Sequence, residues 1–154
     1  MESSTQRFAL GVLRAASAQL PDDFAGLGVI FYATLDELPF LGLDVPPVAE
    51  VSLPVLGEAA IAAALAQVSS VRSGWHDGFH FVDVKHEALS HLAQFVSPPL
   101  PLLPTTASVA AGARHMTAAL ASRVQGILGC GILTARCELS YFSDGRCVVH
   151  ERLG

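Results

Sequence analysis

A single lysine (Lys85), a single tryptophan (Trp75) and three cysteines are all that this chain of 154 residues supplies of those types, and the shortages exclude several kinds of protein. Cys130, Cys137 and Cys147 are odd in number and lack C-x-x-C spacing, so neither a disulfide framework nor a zinc site is expected; they read as small buried residues of a reducing compartment. With nine Lys and Arg against fourteen Asp and Glu there is no basic stripe to track a nucleic-acid backbone. No apolar run reaches the roughly eighteen residues of a membrane span, and residues 1–20 lack the basic start, apolar block and cleavage site expected of a leader. These absences predict a cytoplasmic protein that binds neither nucleic acid nor membrane.

What is present is apolar substance: 51% of the residues are hydrophobic, enough to bury a core, so residues 1–154 are read as one globular domain. Charge is unevenly spread. Residues 1–71 hold eight acids against Arg7 and Arg14, a balance of −6, whereas residues 72–154 hold six acids against seven bases, a balance of +1. A local basic pocket for a small anion belongs in the second half.

Periodicity predicts a helix over 4–20 capped by Ser3 or Ser4 and stopped by Pro21, then a strand at Gly26–Tyr32 covered on both faces. The Gly-x-Gly at 26–28 precedes the apolar run and lacks a third glycine, so it reads as strand entry rather than a dinucleotide fingerprint. Residues 33–56 read as an acidic, proline-rich connection with a short strand near Val48–Leu53, and Glu58–Val68 as an alanine-rich helix. A strand Phe79–Val84 follows, then a helix His86–Phe95 from the spacing of Leu89, Leu92, Ala93 and Phe95, then a proline loop over 97–104. Thr105, Thr106 or Ser108 is expected to cap a helix carrying Val109, Met116, Leu120 and Val124. Strands at Leu128–Ala135 and Glu138–Phe142, an Asp144-Gly145 hairpin turn and a last strand at Cys147–Glu151 complete the chain. Helices and strands alternate, which predicts an α/β fold with a mixed central sheet flanked by helices.

Two stretches carry chemistry. Gly112-Ala113-Arg114-His115-Met116 opens a helix, where free N–H groups, the positive end of the helix dipole, a guanidinium and an imidazole converge on what an anion requires. His76-Asp77-Gly78-Phe79-His80 places a carboxylate at the head of a strand, able to hold Mg²⁺ or Mn²⁺ while Gly78 lets a ligand approach. Asp-Gly is equally a turn signal, and Arg114 can equally be a structural arginine paired with Asp77 or Glu138. His76 and His80 lie four apart, yet the glycine and aromatics around them favour a strand and no third ligand is fixed by spacing, so they read as ordinary hydrogen-bonded histidines.

Asp77-Gly78 on a strand, the proline loop, Gly112-x-Arg114-His115-x-x-Ala118-Ala119 at a helix start and Glu138 before a final hairpin together resemble the diadenylate cyclase domain, over residues 71–154. The resemblance implies ATP binding, dependence on Mg²⁺, Mn²⁺ or Co²⁺, condensation of two ATP into cyclic di-AMP with release of pyrophosphate, and a homo-oligomer whose active sites lie between facing subunits. It further implies Asp77 as the metal-binding carboxylate that helps activate a ribose 3′-hydroxyl, Gly78 and Phe79 beside the nucleoside, Gly112, Ala113 and Met116 along the phosphates, Arg114 and His115 on the triphosphate, and Glu138 in an acidic element. The chain departs from that pattern at Phe79 (a small residue in the family), Ala113 (Thr), Met116 (Arg or Lys) and Leu139 (a second acid). A lost hydroxyl and a lost cation weaken turnover more than binding, so a nucleotide sensor acting with a separate effector protein is a second reading, and an oligomerisation domain in which Asp77 and Arg114 merely pair is a third.

Overall fold

The computed structural model describes residues 2–43, 51–100 and 112–154. Helix α1 (Ser4–Ser17) begins where Ser3 Oγ accepts the Gln6 N–H at 3.1 Å, and its buried Ala9, Leu10, Val12, Leu13 and Ala16 form one stripe. Helix α2 (Glu58–Val68) presents alanines and Ile61, Leu65 and Val68 to the same layer, small side chains that let it lie close to α1. Both helices cover one face of a sheet.

Strand β1 (Gly26–Tyr32) is buried along its whole length, as its continuous apolarity predicts. Its residues alternate: Leu27, Val29 and Phe31 enter the core under α1 and α2, whereas Ile30 and Tyr32 face a second core with Ala118 and Ala121 of α3 (Gly112–Ala121). The other strands are β2 (Phe40–Gly42), β3 (Val55–Leu56), β4 (Phe79–Asp83), β5 (Ala88–Val96), β6 (Ile127–Thr134), β7 (Glu138–Ser143) and β8 (Arg146–Arg152). Their order is β2-β5-β4-β1-β6-β7-β8, with β3 also on β5; β1 and β4 run parallel and the remaining pairs antiparallel. The fold is therefore α/β with a mixed central sheet flanked by helices, and among the described residues no helix is long and apolar enough to cross a membrane.

One predicted element is corrected. His86–Phe95 is not a helix; Ala88–Val96 is the strand β5, antiparallel to β4. Between the pairs Phe79↔Gln94, Phe81↔His91 and Val82↔Leu89, β5 carries an extra residue twice, and each bulge shifts the side-chain alternation by one. Leu89 and Leu92 thus share the α1/α2 core at a separation of three, which mimics helical spacing. The chain reverses before β5 through Glu87 at φ 46°, a left-handed conformation that a helix interior does not contain.

Smaller differences follow boundaries. The first helix ends at Ser17 and the last at Ala121; Val51–Leu53 are not strand, while β2 and β3 flank that region. Residues 48–50, residues 101–104 of the proline loop, the candidate caps Thr105, Thr106 and Ser108, and Val109 lie outside the described residues. The Asp144-Gly145 turn is as expected, both residues having positive φ (52° and 80°) as a two-residue hairpin requires.

Candidate functional site

The parallel pair β1 and β4 begins at one end of the sheet, and antiparallel β6 ends there beside β1, since Gly26 pairs with Thr134. The turn into β7 delivers Glu138 to the same end, its N–H donating to Thr134 Oγ1 at 3.2 Å. Asp77 and Gly78 lead into β4 at this end, and α3 brings Arg114 across it. Residues 26, 77, 114 and 138, remote in sequence, are gathered on one edge.

Arg114 is the centre of the arrangement. Its guanidinium lies over the first residue of β1, where a Cβ on Gly26 would collide with Arg114 Nη1. Burial draws its pKa below the ordinary guanidinium value, and the nearby Asp77 carboxylate acts in the opposite direction. No carboxylate lies within ion-pair distance of Arg114 among the described residues. Of the two structural partners that the sequence allows, Glu138 is committed elsewhere: its Oε1 accepts from Arg152 Nη2 at 3.1 Å across β7 and β8, and that hydrogen bond holds its carboxyl below the usual range. Asp77 acts on Arg114 only at longer range.

Asp77 projects to solvent, 70% exposed, and among the described residues its ion-pair contact is with His76. His76 Nδ1–H donates to the Ser73 carbonyl at 2.7 Å, which turns Nε2 towards Asp77 Oδ1 at 3.4 Å. A carbonyl only accepts, so Nδ1 carries a proton, and the Nε2–carboxylate contact is attractive when a proton or a cation lies between them. The pair could contribute two ligands to a divalent ion. Among the described residues there is no group of three or more His, Cys, Asp or Glu suited to a metal, so water or substrate oxygens would complete the shell.

Gly78 and Gly28 accommodate protein rather than leaving open space. Gly78, at φ 81°, sits against the backbone of β5, so that a Cβ on it would stand only 2.7 Å from the Gln94 carbonyl oxygen. Gly28 lies under the Phe79 ring, where a Cβ would come within 2.7 Å of Phe79 Cε2, and Phe79 is buried in the α3-side core. Phe79 thus offers a ligand its backbone alone.

His115 stacks edge-on to Phe142 with ring centroids 6.1 Å apart, on the face of the sheet that α3 covers. Gly112, Ala113 and Met116 are exposed on the first turn of α3. His80, by contrast, is fully buried: its Nδ1 accepts the Ala93 N–H at 3.0 Å, its Nε2 has no hydrogen-bond partner among the described residues, and burial followed by the charge of Arg114 pulls its pKa from 6.5 to about 3. It is a neutral histidine at all ordinary pH values.

Sequence reasoning singles out Asp77, Arg114 and Glu138, which the fold brings to one edge, but gives Gly26 and His76 no role in the site. The signal for His76 is local: Ser73-Gly74 ahead of it makes a turn whose carbonyl can fix an imidazole. Gly26 offers none, because its neighbour in space is eighty-eight positions away in sequence, at Arg114.

The chain matches no protein-family model and no curated protein. Among solved structures it is similar to a hypothetical membrane spanning protein from Bacillus cereus, with a TM-score of 0.56 at 13% identity over 99% of this chain. The chain spans 64% of that protein's length, and at 13% identity the likeness is one of fold.

Proposed function

We propose that this edge of the sheet is a nucleotide site and that the chain acts as a diadenylate-cyclase-like nucleotidyltransferase. The observation that carries the reading is Arg114: a partly desolvated guanidinium, within electrostatic reach of the exposed Asp77 carboxylate and without an ion-pair partner among the described residues, is an anion clamp in waiting. A triphosphate supplies the charge it lacks. The start of α3 adds the positive end of a helix dipole.

Asp77 beside a phosphate is repulsive by itself. The Asp77 and His76 pair suits Mg²⁺, Mn²⁺ or Co²⁺, which when bound neutralises phosphate charge and lowers the barrier to attack on phosphorus. In the reaction proposed, a ribose 3′-oxygen of one ATP bonds to the α-phosphorus of another as its bond to the pyrophosphate oxygen breaks; the hydroxyl proton leaves and pyrophosphate departs. Repeated once more, this closes cyclic di-AMP. Arg114 would hold the phosphates in line, and His115 would meet the triphosphate from the same helix. Two facing copies of the chain would supply the two ATP molecules, in a cytoplasmic setting where ATP is available.

A second reading is favoured by three residues. Ala113 and Met116 are exposed where a hydroxyl and a cation would extend the phosphate site, and Leu139 is fully buried in the α1/α2 core where a second acid would stand. A binding subunit that senses a nucleotide or cyclic dinucleotide and acts through a separate effector protein needs Arg114 but not turnover. Incubation with ATP and Mn²⁺, with products identified by mass spectrometry, separates the two: a cyclic dinucleotide absent from the Asp77→Asn variant supports the cyclase, and binding without product supports the sensor. Absence of both binding and product would overturn the nucleotide reading.

A further inference from the structure

We propose that Gly26 is a positioning residue whose missing side chain is the seat that holds the Arg114 guanidinium at the head of β1. The inference rests on the reading of Arg114 as a phosphate clamp and adds what aims it. A Cβ on Gly26 would meet Arg114 Nη1 in collision and Cζ at 3.3 Å, with the Leu133 carbonyl oxygen 3.7 Å away on the neighbouring strand. The guanidinium therefore lies on bare backbone where β1 and β6 meet.

The seat explains two properties together. Contact with backbone removes water from one side of the guanidinium, in keeping with its lowered pKa, and it keeps the group near Asp77 and the buried His80 without a salt bridge among the described residues to fix it. A long, flexible arginine ordinarily disperses over many rotamers. One methyl group at position 26 would displace its tip rather than the sheet, because the tip is the part free to move. Gly28, two residues on and on the same face, makes the contrast: the group above it is the buried Phe79 ring, so a methyl there strains the core and leaves Arg114 alone.

Gly26 has φ 145°, a conformation that strains any L-residue, so loss of stability alone does not reveal the seat. The direct readout is the rate at which phenylglyoxal modifies Arg114 in the folded protein, followed by peptide mass spectrometry, with the exposed Arg72 as internal standard and the buried thiol of Cys130 as a reporter of folding. Gly26→Ala is expected to raise the Arg114 rate relative to Arg72 at least threefold while Cys130 stays protected, and Gly28→Ala to leave the ratio unchanged. An unchanged ratio in folded Gly26→Ala overturns the proposal. Should Gly26→Ala expose Cys130, urea unfolding of Gly26→Ala, Arg114→Ala and the double variant decides: a double variant more stable than Gly26→Ala supports the seat, and one no more stable overturns it.

Titration with inorganic tripolyphosphate separates this inference from the one beneath it. Wild type that binds, with affinity at least tenfold weaker in Gly26→Ala and no weaker still when Arg114→Ala is added, supports both. Wild type that fails to bind removes the phosphate reading, while the modification rates still judge the seat on their own.

Discussion

Arg152 holds Glu138 across β7 and β8, Nη2 to Oε1 at 3.1 Å, so that one of the two carboxylates the sequence offers as a structural partner for Arg114 is paired elsewhere. The pair is exposed and its register is that of directly opposed strand residues, an arrangement that contributes little to stability and much to where charge is found. Glu138→Gln is accordingly expected to leave the unfolding midpoint and the affinity for ATP unchanged. A marked loss of ATP affinity, measured by calorimetric titration, would return Glu138 to the nucleotide.

The corrected strand β5 makes a prediction of opposite sign to the helix it replaces. Glu87 is exposed at φ 46°, so Glu87→Gly relieves a left-handed conformation worth roughly 1–2 kcal/mol against roughly 0.5–1 kcal/mol of added chain entropy, and should stabilise the protein by up to about 1 kcal/mol. In a helix interior the same change would cost up to about 1 kcal/mol. Urea unfolding of the two proteins distinguishes the signs.

His80 gives the fold a pH dependence. Its folded pKa, lowered from 6.5 to about 3 chiefly by burial and then by Arg114, means that across this window the unfolded chain takes up a proton that the folded chain refuses. Stability is therefore fully present above the unfolded value and falls as the pH drops through the window, by about 1.4 kcal/mol per pH unit where one proton is at stake. His80→Asn keeps an acceptor for the Ala93 N–H and removes the titration, so its urea midpoint should fall less steeply with acid. His91, also lowered by burial, leaves a residual slope in the same direction.

Metal dependence should reside in Asp77. In wild type, Mn²⁺ is expected to strengthen ATP binding several-fold; in Asp77→Asn that enhancement disappears, and without metal the variant binds ATP at least as well as wild type because a negative charge beside the phosphates is gone. Titrations with and without Mn²⁺ test this. An undiminished enhancement in Asp77→Asn would place the ion elsewhere.

Much of this fold is legible in residue order, and the parts that are not have physical reasons. β1 declares itself by unbroken apolarity, α1 by Ser3 and its apolar stripe, and the last hairpin by Asp144-Gly145, because each is specified by neighbours in sequence. β5 reads as a helix because two bulges replace a period of two with a spacing of three, and bulges are set by the partner strand. At the site, the residue types of Asp77 and Arg114 suggest the chemistry proposed above, but not that Arg152 claims Glu138, nor that the Arg114 guanidinium lies over Gly26. Those facts depend on strand register and on a side chain's path through space, neither of which composition or periodicity encodes.

The most direct measurement is calorimetric titration of ATP into wild type and Arg114→Ala, each shown by circular dichroism to be folded. Loss of a charge-assisted, two-pronged phosphate contact is worth about 1.5–3 kcal/mol, so the variant should bind roughly ten- to a hundredfold more weakly while keeping its unfolding midpoint. Equal affinity in the two folded proteins would contradict a nucleotide site built on Arg114.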